Sequence, residues 1–402
     1  MSTSEILHPA QDRPELRREQ TRASIVVGVT NPQTCLVMGP KLRALREAGF
    51  KVTLVTSPGE LLEQTATREG VEAVAVPMKR RLVPLADLLS LVRLWLLLGR
   101  LRPDLVEFST PKAGLLGSLA ALLRGVPRRI YVLRGLRLET AMGLKLRAML
   151  MGERIAAACA HVVLCNSTSL RDKALELRVT RPSKLKILGD GSSIGVDTRR
   201  FSPGPSDVRE QLGLGSDAQV VGFVGRLTRD KGLPELIEAF DSILDAAPTA
   251  CLLLVGWFDE SEDALGGDLR ARIQSHPRVH MTGYVRDTAP YYRVMDLMVL
   301  PTWREGFPNV VLEAAATGIP VVTTLSTGSR DSVVPEVTGL LIPPGYPEAI
   351  TEAVLKLLGD PERRQRMGRS ARAWVEQHYA EDRVLGLMTA FYQDLFISGG
   401  KV

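Results

Sequence analysis

The sequence predicts an α/β protein built from two doubly wound, Rossmann-like domains that face each other across a cleft. Three observations carry this expectation. Short apolar runs alternate with helical patterns from end to end, the signature of parallel βαβ units. The rhythm breaks at the polar, punctuated Thr198-Arg199-Arg200-Phe201-Ser202-Pro203-Gly204-Pro205 and then restarts. The length of 402 residues exceeds what one ordinary core takes up.

Residues 1–22 are polar, lack an apolar stretch and are expected to form a disordered tail, with no signal peptide. A first domain over 23–200 begins with a strand at 23–30. A helix at 36–49 follows, ended by Gly49, then strands at 51–56 and 71–77. Next come a helix within 84–102, a strand at 105–110, a helix at 115–124, a strand at 129–133, a helix at 141–160 and a strand at 162–166. A second domain over 206–380 restarts with a strand at 220–224, a helix at 233–246 and strands at 251–255, 279–283, 297–301 and 320–324. The helix carrying Glu313 lies between the last two of these. Residues 347–396 read as three helical segments, and the final one, within 381–402, is expected to pack back on the first domain. In open α/β sheets ligands sit at the carboxyl ends of the strands, so two such sheets place the site in the cleft between them.

An apolar fraction of 45% and a charged fraction of 24% are those of a soluble globular protein. Cys35, Cys159, Cys165 and Cys251 show no C-x-x-C spacing and no clustering with the five histidines. That argues against a zinc site or a disulfide framework and fits a reducing compartment. The most apolar run, 82–101, is broken by Pro84, Asp87 and Arg93 and falls short of the ~20 residues that span a bilayer. Residues 1–205 hold 32 Lys and Arg against 18 Asp and Glu, and residues 206–402 hold 19 against 27, so +14 and −8 give the net +6. A basic half interleaved with long apolar side chains points to a phospholipid surface or a diphosphate-bearing lipid. No nucleic-acid-binding motif is visible, and a merely solvated Arg-rich surface is the alternative.

Several motifs are missing: G-x-G-x-x-G after a first strand, the P-loop and the G-x-S-x-G elbow. Two stretches remain. Val224-Gly225-Arg226-Leu227-Thr228-Arg229-Asp230-Lys231-Gly232 follows a strand and opens a helix. Its glycines permit close backbone approach, and Arg226 and Lys231 bring a fork and a point charge that suit a diphosphate. The bland reading is a surface turn with incidental basic residues. In Trp303-Arg304-Glu305-Gly306-Phe307-Pro308-Asn309-Val310, Gly306 allows tight approach, Pro308 suits the first helical position, and the helix-start amides offer an anion site. Glu305 stands at the strand end. Glu313, about two helical turns on, could accept two hydroxyl hydrogen bonds, as from a ribose cis-diol. A carboxylate there is otherwise a buried acid paired to a structural Arg or Lys, and Glu305 is otherwise a helix cap.

Glu305 and Glu313 reproduce the E-x7-E signature of retaining GT-B glycosyltransferases, glycosyltransferase family 4. Gly225-Arg226…Lys231-Gly232 and the downstream Gly-Leu-Leu-Ile-Pro-Pro of 339–344 also resemble that family. The resemblance covers nearly the whole chain after the first ~22 residues. It implies a nucleotide-sugar donor, UDP-linked by resemblance; no cluster of metal ligands is visible in the sequence, so transfer is expected to need no metal or other cofactor. Arg226, Lys231 and Glu305 would be catalytic. Glu313, Gly225, Gly306, Phe307, Asn309, Val310 and Val285 would bind the donor: Glu313 the ribose, and the loop of Val285 the base. Ser109-Thr110-Pro111-Lys112-Ala113-Gly114, Leu133-Arg134-Gly135-Leu136-Arg137-Leu138-Glu139-Thr140 and Gly191-Ser192-Ser193-Ile194-Gly195-Val196-Asp197 resemble bacterial enzymes of capsule, O-antigen and lipid-linked oligosaccharide assembly. Those use a polyprenyl-diphosphate-linked sugar acceptor and work at the cytoplasmic face of the membrane. The chain departs from those relatives in two places and from the wider family in a third. Arg134 stands where many have His, and Ile194 where Asn is frequent. Asn31-Pro32-Gln33-Thr34-Cys35 replaces a Gly-rich first loop.

Lys112 and Arg134 each follow a strand end in the basic half and are candidates for a lipid diphosphate. The helix within 84–102, flanked by Lys79, Arg80 and Arg81, is a candidate membrane-facing element, or an ordinary packed helix. The competing functions are a nucleotide-sugar 2-epimerase of the same architecture, a non-catalytic scaffold that binds nucleotide sugar or lipid, and a soluble glucan or sucrose-type synthase.

Overall fold

The computed structural model describes residues 23–79, 81 and 83–397. The expected tail at 1–22, together with Arg80, Leu82 and residues 398–402, lies outside them. The inner strands form where aliphatic and β-branched residues run together and are covered on both faces, as parallel sheets require. In the first domain β1 (Ser24–Gly28), β2 (Lys51–Thr56), β3 (Glu72–Ala75), β4 (Leu105–Ser109), β5 (Arg128–Leu133), β6 (Val162–Cys165) and β7 (Leu185–Lys186) pair in parallel, in the order β3-β2-β1-β4-β5-β6-β7. In the second, β8 (Gln219–Val224), β9 (Ala250–Val255), β10 (Val279–Gly283), β11 (Leu297–Leu300), β12 (Val321–Thr324) and β13 (Gly339–Ile342) pair in parallel, in the order β10-β9-β8-β11-β12-β13. Strand order reverses beside β1 and β4 in one sheet and beside β8 and β11 in the other. Each sheet thus has a crevice at its carboxyl edge.

The expected fold class holds, and the differences are local. The helix expected at 36–49 is split: a 3-10 turn, Pro32–Val37, precedes the helix Gly39–Glu47, because Pro40 fits only a first helical turn. The helices Glu60–Glu69, Thr168–Glu176 and Gly267–Ser275 and the strands β7 and β13 were not expected. The three helices are short and polar, and β7 has two residues, so neither leaves a clear apolar period.

Helices Pro347–Leu358 and Pro361–His378 cover the second sheet, whereas helix Glu381–Ile397 crosses back to the first. Its Leu385, Met388, Tyr392 and Leu395 share a core with Ile25, Leu42 and Leu54. The two crossings run side by side: the Val196 amide donates to the Tyr379 carbonyl at 2.9 Å, and the Glu381 amide donates to the Val196 carbonyl at 2.9 Å.

Under the first crevice Lys41 and Glu107 form a buried ion pair, with the Tyr392 ring centred 5.4 Å from the ammonium. Burial lowers the Lys41 pKa, and Glu107 opposes that shift. Breaking a buried pair strands the other charge. Lys41→Met is therefore expected to cost about 3–5 kcal/mol in urea unfolding. Lys41→Met combined with Glu107→Leu should regain most of that loss.

Candidate functional site

The second crevice is lined by two loops, 225–232 after β8 and 301–308 after β11. Gly232 turns the first with φ 75°, and a Cβ there would come within 2.0 Å of the Pro301 carbonyl oxygen, so only glycine lets the loops touch. Asp230 fastens them. Its carbonyl accepts from the Trp303 amide and the Thr302 hydroxyl, both at 3.0 Å. Its buried carboxylate accepts from the Thr228 hydroxyl at 2.6 Å, lies 3.0 Å from Arg304 Nη2 and is 3.8 Å from Arg226 Nη2. Burial pushes the Asp230 pKa up, but Lys231, the Thr228 hydroxyl, Arg304 and Arg226 together outweigh it, and the group is held below its ordinary value.

Around this anchor the cations are already paired. Arg226 Nη1 lies 3.1 Å from Asp259. Lys231 donates to Glu305, joining the two motifs directly. Arg304 also reaches Asp263 at 3.2 Å and, across the cleft, the Thr140 hydroxyl at 3.2 Å. Glu305 does not cap the following helix. That helix is Asn309–Ala316, so Pro308 stands at the N-cap in an extended conformation, one position earlier than expected, with no side-chain cap. Proline suits either position because both leave its missing N–H without consequence. Gly225 follows β8 with φ 146°. Asn309 and Val310 open the helix half-exposed, and Val285 packs half-buried against the core. Phe307 is buried, its ring 5.2 Å from that of Tyr379.

Glu313 is half-buried and has a neutral partner: the Tyr292 hydroxyl donates to its Oε2 at 2.8 Å. The alternative of a direct pairing with a structural Arg or Lys is not what the geometry shows. Burial raises the Glu313 pKa, and the Tyr292 bond and, at longer range, Arg200 work against that rise.

On the opposite wall, a Cβ on Gly306 would lie 1.9 Å from the Arg134 carbonyl oxygen, so the two domains meet backbone to backbone here. The Arg134 guanidinium is held within its own domain: Nε donates to the Ser109 hydroxyl at 3.1 Å, and Nη2 lies 2.7 Å from the Met38 sulfur. Lys112 is engaged by Asp87 at 2.6 Å and by the Arg81 carbonyl. A lipid diphosphate would therefore have to displace Asp87 to reach Lys112. Asp230, Asp259 and Arg304 escaped the sequence reading. The first and last lie inside the two motifs, where an acid among cations was the available signal.

Two parallel, doubly wound sheets meeting at their carboxyl edges, with a cation-rich crevice in the second, define a GT-B fold. Residues 39–191 match the glycosyl transferase 4-like domain and residues 218–360 match glycosyl transferases group 1. A capsular polysaccharide biosynthesis glycosyltransferase of Staphylococcus aureus, CapM, is 34% identical over 365 residues, covering 90% of this chain and 95% of that one. The UDP-Gal:alpha-D-GlcNAc-diphosphoundecaprenol alpha-1,3-galactosyltransferase of Escherichia coli is 27% identical over 303 residues, 73% of this chain and 76% of that one. The crystal structure of Anabaena HepE in complex with UDP-glucose has the same fold, with a TM-score of 0.76 at 19% identity over 92% of this chain and 100% of that one. The chain belongs to glycosyltransferase family 4 and is a sugar-transferring enzyme.

Two outcomes follow from this geometry. Asp230→Asn removes the charge that holds Arg226 and Arg304, and should cost about 3 kcal/mol of stability because the cations lose their buried partner. Thermal unfolding checks it. Glu313→Gln should instead raise the melting temperature of the free protein at pH 8. The raised pKa means that the ionised group opposes folding there, and the gain should shrink as pH falls through the folded pKa and Glu313 itself becomes neutral.

Proposed function

We propose that this enzyme transfers a sugar, with retention, from a UDP-sugar to a polyprenyl-diphosphate-linked sugar during assembly of a bacterial surface polysaccharide or lipid-linked glycan, including capsule and lipopolysaccharide. The observation that carries the reading is the Arg226–Asp230–Lys231–Glu305 cluster at the switch point of the second sheet. Arg226, Lys231 and the amides of helix Asn309–Ala316 suit the leaving diphosphate, and Glu313 suits the ribose. Glu305, freed from Lys231 when that lysine turns to phosphate, suits donor-sugar hydroxyls. Phe307, Asn309, Val310 and Gly225 shape the phosphate side, and Val285 the base side. The acceptor hydroxyl attacks the anomeric carbon on the face the diphosphate leaves, and the departing phosphate oxygen takes its proton. Stabilising that oxygen is the catalytic task, so the reading needs no metal.

The acceptor side rests on the capsular and lipid-diphosphate relatives and on one surface. Helix Pro84–Leu101 buries Ser90, Leu94, Leu97 and Leu98 but exposes Leu85, Leu88, Leu89, Val92 and Leu96. Arg93, Arg100 and Arg81 are exposed on or beside it. Among the described residues no helix is long and apolar enough to cross a membrane. An apolar face rimmed by cations suits the headgroup region of an anionic bilayer, which would place the enzyme peripherally on the cytoplasmic face. A nucleotide-sugar 2-epimerase would have no use for this face.

Near a hundred times its dissociation constant, UDP should stabilise the protein by ~2.7 kcal/mol in a thermal-shift panel in which GDP, ADP and CMP do not. Glu313→Ala should lose the shift, and stabilisation by none of the nucleotides would refute the donor site. Arg226→Ala and Lys231→Ala should each lower kcat about 10²–10³-fold at saturating donor, with full wild-type activity retained after chelation. Leu85→Ser, Leu88→Ser and Leu89→Ser together should weaken flotation with anionic liposomes about tenfold or more.

A further inference from the structure

The motif Leu133–Thr140 leaves one acid whose role the donor and acceptor assignments do not use. Glu139 lies on the 3-10 turn Arg137–Thr140, which follows β5 and overhangs the cleft. Its Oε2 accepts from the Thr327 hydroxyl, a residue of the other domain, at 2.6 Å. Thr327 in turn accepts, through its carbonyl, from the Glu305 amide at 3.1 Å. The next residue, Gly328, is wedged under the same loop: a Cβ there would lie 2.6 Å from the Glu305 carbonyl oxygen and 2.5 Å from that of Gly306. The Gly328 amide donates to Ser169 Oγ of the first domain at 2.7 Å. Asp331, three residues on, accepts from the Ser169 amide at 3.0 Å and from its hydroxyl. Two residues of the first domain thus grip the segment 327–331, and that segment carries the backbone of Glu305.

We infer that Glu139, with Ser169 as its second hold, is a positioning residue for Glu305: it fixes the sugar-facing loop only when the two domains are closed on each other. The inference rests on the proposed glycosyl-transfer function for its kinetic consequence, but not for its structural one. Everything assigned to the nucleotide is built from the second domain alone, so the nucleotide binds whether or not Glu139 is in place. The reacting sugar depends on the loop 305–306, and that loop borrows its register from the first domain. Burial raises the Glu139 pKa, with the Thr327 bond, Lys173 and Arg304 opposing the rise.

The test has two arms on the full-length protein. Amide hydrogen exchange is followed over 302–307 in wild type, Glu139→Ala, Thr327→Val and Glu139→Gln. Loss of one net hydrogen bond should speed exchange of the Glu305 amide about fivefold in the first two variants, while helix Leu233–Ala246 is unchanged. Glu139→Gln keeps an oxygen acceptor for the threonine hydroxyl and should exchange like wild type. Unchanged exchange in Glu139→Ala overturns the inference. The second arm measures UDP affinity and turnover of UDP-glucose, and of the other UDP-sugars, onto a short-chain polyprenyl diphosphate N-acetylglucosamine. Glu139→Ala and Thr327→Val should lower kcat about ten- to a hundredfold with UDP affinity within twofold of wild type, and the double variant should be no worse than either single. Equal losses of UDP affinity and kcat would make Glu139 a merely structural residue and overturn the inference. If exchange responds as expected but wild type turns over no UDP-sugar, it is the proposed function that fails, and the positioning of the loop by Glu139 stands.

Discussion

The buried carboxylate of Asp230 is the constraint on which the crevice depends. It is an acid placed where water cannot reach it, tolerated because Arg304 and Arg226 approach it and Thr228 donates to it. Its main chain carries the neighbouring loop as well, through Trp303 and Thr302. One residue therefore sets the separation of two strand ends and the direction of two guanidinium groups. In the free protein every one of these cations has an acidic partner: Asp259 for Arg226, Glu305 for Lys231, and Asp263 beside Asp230 for Arg304. A dianion entering the crevice competes with carboxylates rather than with water, and what it displaces becomes available for other work. The Lys231–Glu305 pair is the clearest case, since the acid it would release stands at the end of β11 facing the cleft.

The two domains contribute opposite chemistry. The second is acidic overall but brings Arg226, Lys231 and Arg304 together at one crevice. The first is basic overall yet keeps its buried cations occupied, Lys41 by Glu107 and Lys112 by Asp87. It also leaves an apolar surface uncovered, the outer face of helix Pro84–Leu101, rimmed by exposed arginines. The domains are tied by helix Glu381–Ile397, which carries four side chains back into the first core, and by the paired crossings at Val196 and Ala380. Polar contacts across the cleft, from Arg304 to Thr140 and from Thr327 to Glu139, then set the approach of the two walls.

What the sequence by itself determined was the alternation of elements, and with it both parallel sheets. Strand β2 and the helix Leu233–Ala246 appear at the expected residues because their buried apolar side chains recur at the strand and helix periods. The elements that escaped notice are short or polar, and their burial depends on neighbours far away in the chain. The two strand-end motifs were also legible, because glycine, proline and paired charges at a strand end are local requirements of backbone geometry and anion chemistry. Only the tertiary structure decided how those motifs combine. That Lys231 meets Glu305, that Asp230 binds Arg304 and that Arg134 turns toward Ser109 are pairings between separate strand ends, and that Glu313 rests on Tyr292 rather than on a cation is a pairing between two helices. The physical reason is that a side chain's partner is fixed by which strands lie side by side in the sheet, and the strand order is a property of the whole fold.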